Sequence, residues 1–146
     1  MVKDGISVKG NITIAVYNEN MELKETHCFK NLITNIGKNY IAKRMTSNSE
    51  AIMTHMALGL SATAAAITDT ALGNEAGRVA LEIPSVVSAN VIQYVATFPA
   101  GVATGDLKEA GIFNHPSSGD MLNRASINIT KSSSDTIVVS WNLAIQ

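Results

Sequence analysis

The last stretch of this chain alternates almost without a break. Ile137, Val139, Trp141, Leu143 and Ile145 share one parity, while Thr136, Ser140, Asn142 and Gln146 fall on the other. A period of two sends successive side chains to opposite faces, so this segment is a strand with one face buried. The pattern recurs at the front, where Ile6, Val8, Ile12, Ile14 and Val16 share a parity and Gly10 marks a bend. Asn18-Glu19-Asn20 supplies turn chemistry, and Leu23 to Phe29 reads as the returning strand. The two form an N-terminal hairpin over about residues 5–29. Ile52 to Leu60 is a short strand. From Arg78 onward strand follows strand: Val79 to Ile83 before Pro84, Val91 to Phe98, Leu107 to Phe113 and Met121 to Ile129. Pro99-Ala100-Gly101, His115 to Asp120 and Ser132 to Asp135 are the turns between them. Strands at this spacing imply a sandwich or barrel, and the expectation is an antiparallel β-sandwich in a single domain, residues 1–146.

One segment breaks the period. Leu32, Ile33, Ile36, Tyr40, Ile41 and Met45 recur at spacings of three and four, which predicts an α-helix over about 32–45. Asn31 is its expected N-cap, and Ser47-Asn48-Ser49 its end. Gly37 weakens it without excluding it. The fold class is therefore mainly β with one α-helix. Between Ser61 and Ala76 the chain is rich in Ala, Thr and Gly and reads mostly as loop, with room for a helical turn. Loops this long in small domains carry function, here expected to be contact with a neighbour.

Composition narrows the function. Net charge is −1, so no broad basic surface invites nucleic acid. Charged residues make up 16% of the chain, against roughly 25% in typical soluble domains. A domain with so few charges is expected to hide surface against copies of itself or other partners. Cys28 is the lone cysteine, so no intrachain disulfide is possible and a reducing compartment is expected. The first residues lack the apolar core of a signal peptide, and no apolar run is long enough to span a membrane.

Motifs for chemistry are thin. His27-Cys28 stands apart from His55 and His115, which is too sparse for a zinc site; the plainer reading puts one of the pair toward the core. No nucleophile elbow is present. Asp69, Glu75, Glu82, Asp106 and Glu109 are carboxylates in different elements, without an aromatic platform for sugar. Glu75 and Arg78 suit a local ion pair if their turn is helical, and Glu109 suits Lys108 or Arg124 as a partner. Lys38, Lys43 and Arg44 read as a solvated helix face or a contact with an acidic neighbour. Trp141 reads as a core anchor. No catalytic, cofactor-binding or metal-ligating residue is expected.

Several segments occur in a telling order: Asn31-Leu32-Ile33-Thr34-Asn35, Met56-Ala57-Leu58-Gly59, Asp69-Thr70 with Leu72, Glu75 and Arg78, Glu109-Ala110-Gly111-Ile112-Phe113, Met121 to Arg124, and Asp135 to Leu143. In that order the chain resembles the tail-collar and tail-fibre attachment domains of tailed bacteriophages, over most of residues 31–143. The resemblance implies symmetric assembly without catalysis. The family's fibre shaft and receptor-binding tip have no counterpart in residues 1–146, so the expectation is an adaptor, collar or decoration subunit rather than a host-recognition protein.

The expected protein is thus a virion structural subunit of the tail or neck, assembled in the host cytoplasm. Its partners are copies of itself, as a homo-oligomer, and other virion proteins, without nucleic acid, membrane or cofactor. Loops at Ser61 to Arg78 and Ala100 to Asp106 are expected to dock, with Asp69, Glu75, Arg78, Glu109 and Arg124 fixing register within or between subunits. A capsid decoration or head-fibre protein is the alternative. A carbohydrate-binding module using Tyr17, Tyr94 and Phe113 is an alternative of another class.

Overall fold

The computed structural model describes residues 5–47 and 49–146. Within them the alternating segments become nine strands: β1 Val8–Tyr17, β2 Leu23–Ile33, β3 His55–Gly59, β4 Glu75–Ala80, β5 Ser85–Ser88, β6 Val91–Phe98, β7 Gly105–Phe113, β8 Met121–Lys131 and β9 Thr136–Ile145. One helix, α1 Asn35–Thr46, follows β2. Every strand pairing is antiparallel, in the order β4-β3-β7-β8-β2-β1-β9-β6-β5.

Two stretches of chain bend this sheet. β2 pairs with β1 as far as Lys30, then hands its last three residues to β8, with Asn31 opposite Ala125 and Ile33 opposite Asn123. Gly10 makes room at that bend, because a Cβ there would lie 1.3 Å from Asn31 Oδ1. The second bend joins the ends of the order. β4 and β5 are separated in the chain only by residues 81–84. Leu81 N–H donates to Thr54 O on one side of this corner, and Glu82 N–H to Val95 O on the other, both at 2.8 Å. The expected sandwich is therefore met as one continuous nine-stranded sheet curled into a half-barrel, because β2 serves both halves instead of ending between them.

The core fills the concave face. Ile12, Ile14 and Val16 of β1 and Ile137, Val139 and Trp141 of β9 are fully buried, on the parity their alternation predicts. Leu107, Ile112 and Met56 meet them from the other half, and Phe98 of β6 lies beside Ile137. Burial of each such side chain contributes about 1.5–3 kcal/mol. His27 sits opposite the buried Ile14 and stacks on Phe29, so it takes the core-facing side of β2 as expected of one of the pair, although only half-buried. Cys28 is exposed on the other side.

The helix begins later than its periodicity suggested. Leu32 and Ile33 belong to β2, and Thr34 is the N-cap in place of Asn31. A two-residue apolar pair fits either period, and the ladder to β8 decides for strand. Thr34 Oγ1 accepts from Gly37 N–H at 2.9 Å and donates to Met121 O at 2.7 Å, so the cap also ties the helix to β8. Gly37 and Tyr40 are the buried helix residues, while Met45 is 80% exposed. Of the proposed stop, Asn48 lies outside the described residues. Two of the three basic side chains are answered within the chain, Lys43 pairing with Glu50 at 3.1 Å and Arg44 Nη1 donating to Glu50 O at 2.8 Å, while Lys38 is exposed.

Candidate functional site

β8 is buried on both faces from Met121 to Ala125, which a simple half-buried strand would not be. The cause is the loop 60–74, which lies across the convex side of β3, β7 and β8. It contains no helix. Glycine sets the floor. A Cβ at Gly59 would lie 2.6 Å from Glu109 Oε2, and one at Gly111 would lie 3.2 Å from Leu72 Cδ2. Larger residues at either place would lift the loop away.

Glu109 of β7 is the pin. Its side chain is fully buried. Its carboxylate accepts three backbone N–H groups of the loop: Ser61 at 2.9 Å, Gly73 at 2.7 Å and Asn74 at 2.8 Å. Arg124 of β8 donates to it through Nη2 at 3.1 Å. The same guanidinium reaches Thr63 O at 2.8 Å and Asp69 Oδ2 at 3.1 Å. Asp69 in turn accepts from Ala66 N–H at 2.8 Å. Removing these charges from water is costly, and the saturation of nearly every donor and acceptor offsets that cost. Of the two partners the sequence offered Glu109, Arg124 is the one taken, while Lys108 bonds to Asn128.

Glu75 and Arg78 form a second unit on the same face. Arg78 Nη2 donates to Glu75 Oε1 at 2.7 Å and Nε to Oε2 at 3.1 Å, a two-pronged pair. The spacing of three suggested a helical turn, but both residues lie on β4. There Gly59 opposes Glu75 and Leu58 opposes Gly77, so Ala76 is an extra residue. This bulge reverses the parity and brings Glu75 and Arg78 to one side. Arg78 Nη1 also caps the turn after β7, donating to His115 O at 2.8 Å and Ser118 O at 2.9 Å. Its guanidinium stacks 3.7 Å over the Phe113 ring, beside the small apolar cluster of Ala57, Met121 and Leu72. Replacing Arg78 with Glu sets two carboxylates together and leaves two carbonyls without their donor. Thermal denaturation of R78E is expected to show a loss of about 2–4 kcal/mol; an unchanged melting temperature would remove this assignment.

All five residues singled out from sequence therefore lie on one face, in two adjoining groups, and their bonds close within the chain. Ala103, from the other proposed docking loop, is 2% exposed and packs beside Gly77. The aromatic platform is also corrected: Phe113 is 1% exposed and Tyr94 8%, leaving Tyr17 half-buried by itself. Burial and the neighbouring Tyr40 push the Tyr94 phenol up to about 12. Both tyrosines line a cavity of about 380 Å³ between α1 and the strands β1, β6 and β9.

Two polar anchors escaped the sequence reading. Asp135 accepts from Ser132 N–H at 2.9 Å and pairs with Lys24 at 3.1 Å. The Ser132 bond first, and Lys24 after it, hold its carboxyl below the usual range. Lys131 continues the buried parity of Ile127 and Ile129, and its ammonium reaches Pro99 O at 3.0 Å. A charged residue on the core parity at a strand end was the available signal. Among the described residues no group of three or more His, Cys, Asp or Glu is placed to hold a metal ion, and no helix is long and apolar enough to cross a membrane. Set against known proteins, the chain matches no family model, no curated protein and no solved structure.

Proposed function

We propose that this chain is a non-enzymatic structural subunit of a tailed-bacteriophage virion, a collar, fibre or adaptor of the tail or neck region. It acts through symmetric contacts with copies of itself and with other virion proteins. The observation that carries this reading is the division between charge and apolar surface. Asp69, Glu109 and Arg124 are spent inside the chain on holding a loop. Outside, Ile52, Ile67, Ile83 and Val86 stand 47–92% exposed on a chain with few charges to screen them. A contiguous apolar patch left in water, such as Ile52 and Ile83 form along one groove, marks a contact surface. The curled sheet serves as the rigid block, and repetition around a symmetry axis turns a modest patch into firm attachment.

The test is a census of particles. Virions purified on a density gradient from a phage encoding this chain are digested, and the chain is counted by mass spectrometry against the major capsid protein. A small fixed multiple set by tail symmetry is the expected result. A count comparable to the capsid protein would instead favour a decoration or head-fibre subunit. Absence from purified particles would overturn the virion reading.

A further inference from the structure

The second end of the sheet order is unlike the rest of the surface. β5 pairs with β6 alone, through Ser85 with Gln93, Val86 with Ile92 and Ser88 with Val91. Its other edge has no strand in the order. All four residues are exposed, Val86 at 72% and Val87 at 49%, and Ile83 just before them at 92%. Proteins ordinarily guard such an edge with charge. Here no Asp, Glu, Lys or Arg occurs anywhere in residues 83–105.

The segment Ser85-Val86-Val87-Ser88 also reads the same in both directions. Antiparallel pairing about an axis between the two valines places Val86 opposite Val87 of the second copy, and Ser85 opposite Ser88. Each pairing is thus valine on valine or hydroxyl on hydroxyl, with no charge opposed. A two-fold contact requires such self-complementarity, and a contact with an unrelated partner does not. The flanks limit its extent. Pro84 cannot donate to a ladder, and the irregularity at Val87 twists the strand, so pairing closes as a dimer instead of spreading into a fibre. Beside the edge, a groove of about 310 Å³ lined by Ile52, Leu81, Ile83 and Pro84 extends the apolar patch, with Glu82 and His55 also in its wall.

We propose that β5 is the seat of a two-fold contact with a second copy of this chain, the two β5 strands pairing antiparallel edge to edge. The proposal rests on the assembly reading above and names the surface that begins it. Four paired residues and one groove make a small interface, so association in the micromolar range is expected.

Sedimentation velocity over roughly 1 to 200 µM protein tests it. The wild type should pass from monomer to dimer. Val86→Lys sets a lysine on the free edge of both copies and should weaken dimerisation at least about tenfold. It should leave the melting temperature unchanged, since Val86 is exposed. Leu23→Lys, a charge placed at the exposed start of β2, should dimerise like the wild type. Independently of any variant, amide exchange across Ser85–Ser88 should slow as protein concentration rises. A wild type that stays monomeric throughout would overturn the β5 contact, as would a Val86→Lys protein that dimerises with wild-type affinity. In the second case self-assembly survives and its seat lies elsewhere. The particle census is independent of both results, so failure of the β5 contact and failure of the virion reading are told apart.

Discussion

Glu109→Ala is expected to lower stability by about 3–5 kcal/mol, the range for breaking a buried charge pair by removing one partner. The loss has two sources. Three backbone N–H groups, of Ser61, Gly73 and Asn74, lose their acceptor, and Arg124 keeps its charge with Asp69 as its remaining acidic partner. For a chain of this length the melting temperature should fall by roughly 10 °C or more. Before global unfolding, the loop 60–74 should become open to proteolysis, because its ends are held by that one carboxylate. Glu109→Gln should fall in between: a single amide oxygen replaces two carboxylate oxygens, and the amide NH2 now faces donors. A Glu109→Ala protein that melts within a degree or two of the wild type, with the loop still resistant to protease, would refute the pin.

Gly37→Ala should also destabilise, by about 2–4 kcal/mol. Helix propensity alone predicts the opposite sign, since alanine is favoured over glycine in a helix interior by about 1 kcal/mol. Packing decides the outcome. A Cβ at Gly37 would lie 1.9 Å from Leu122 O, a backbone atom that cannot rotate away. The helix must therefore lift from β8. That strains the bond from Thr34 Oγ1 to Met121 O and the bond from Asn35 N–H to Ile67 O. Urea denaturation measures the balance, and a Gly37→Ala protein more stable than wild type would show that propensity, not contact, governs the site.

These two residues also mark where sequence reading reached and where it stopped. β1 and β9 were legible because one face is packed and the other is not, which writes a period of two into the chain. β5 left no such trace, since all four of its residues face water. The helix start was misplaced because Leu32 and Ile33 satisfy two periods at once, and only the pairing with β8 distinguishes them. The Glu75–Arg78 pair was anticipated for the wrong geometry: a bulge achieves in a strand what a helical turn would have done. The partnership of Glu109 and Arg124 was visible as an option. What stayed hidden was that their service is to the backbone of a loop. The glycines at 59 and 111 hinted at close approach, but a glycine does not say what approaches.

The pairing of β1 with β9 has a consequence for synthesis. Val8 finds its partner in Ile145 and Tyr17 in Thr136, so the first strand waits for the last along its whole length. While the ribosome is still translating, β1 has only β2 beside it, and a two-stranded hairpin is marginal in water. The nascent chain thus carries an open apolar edge until residues near 145 have left the exit tunnel. With pairings of such sequence separation, folding is expected to be slow. A cell making this protein in quantity would depend on chaperones during that interval, and lower expression temperature should raise the soluble yield.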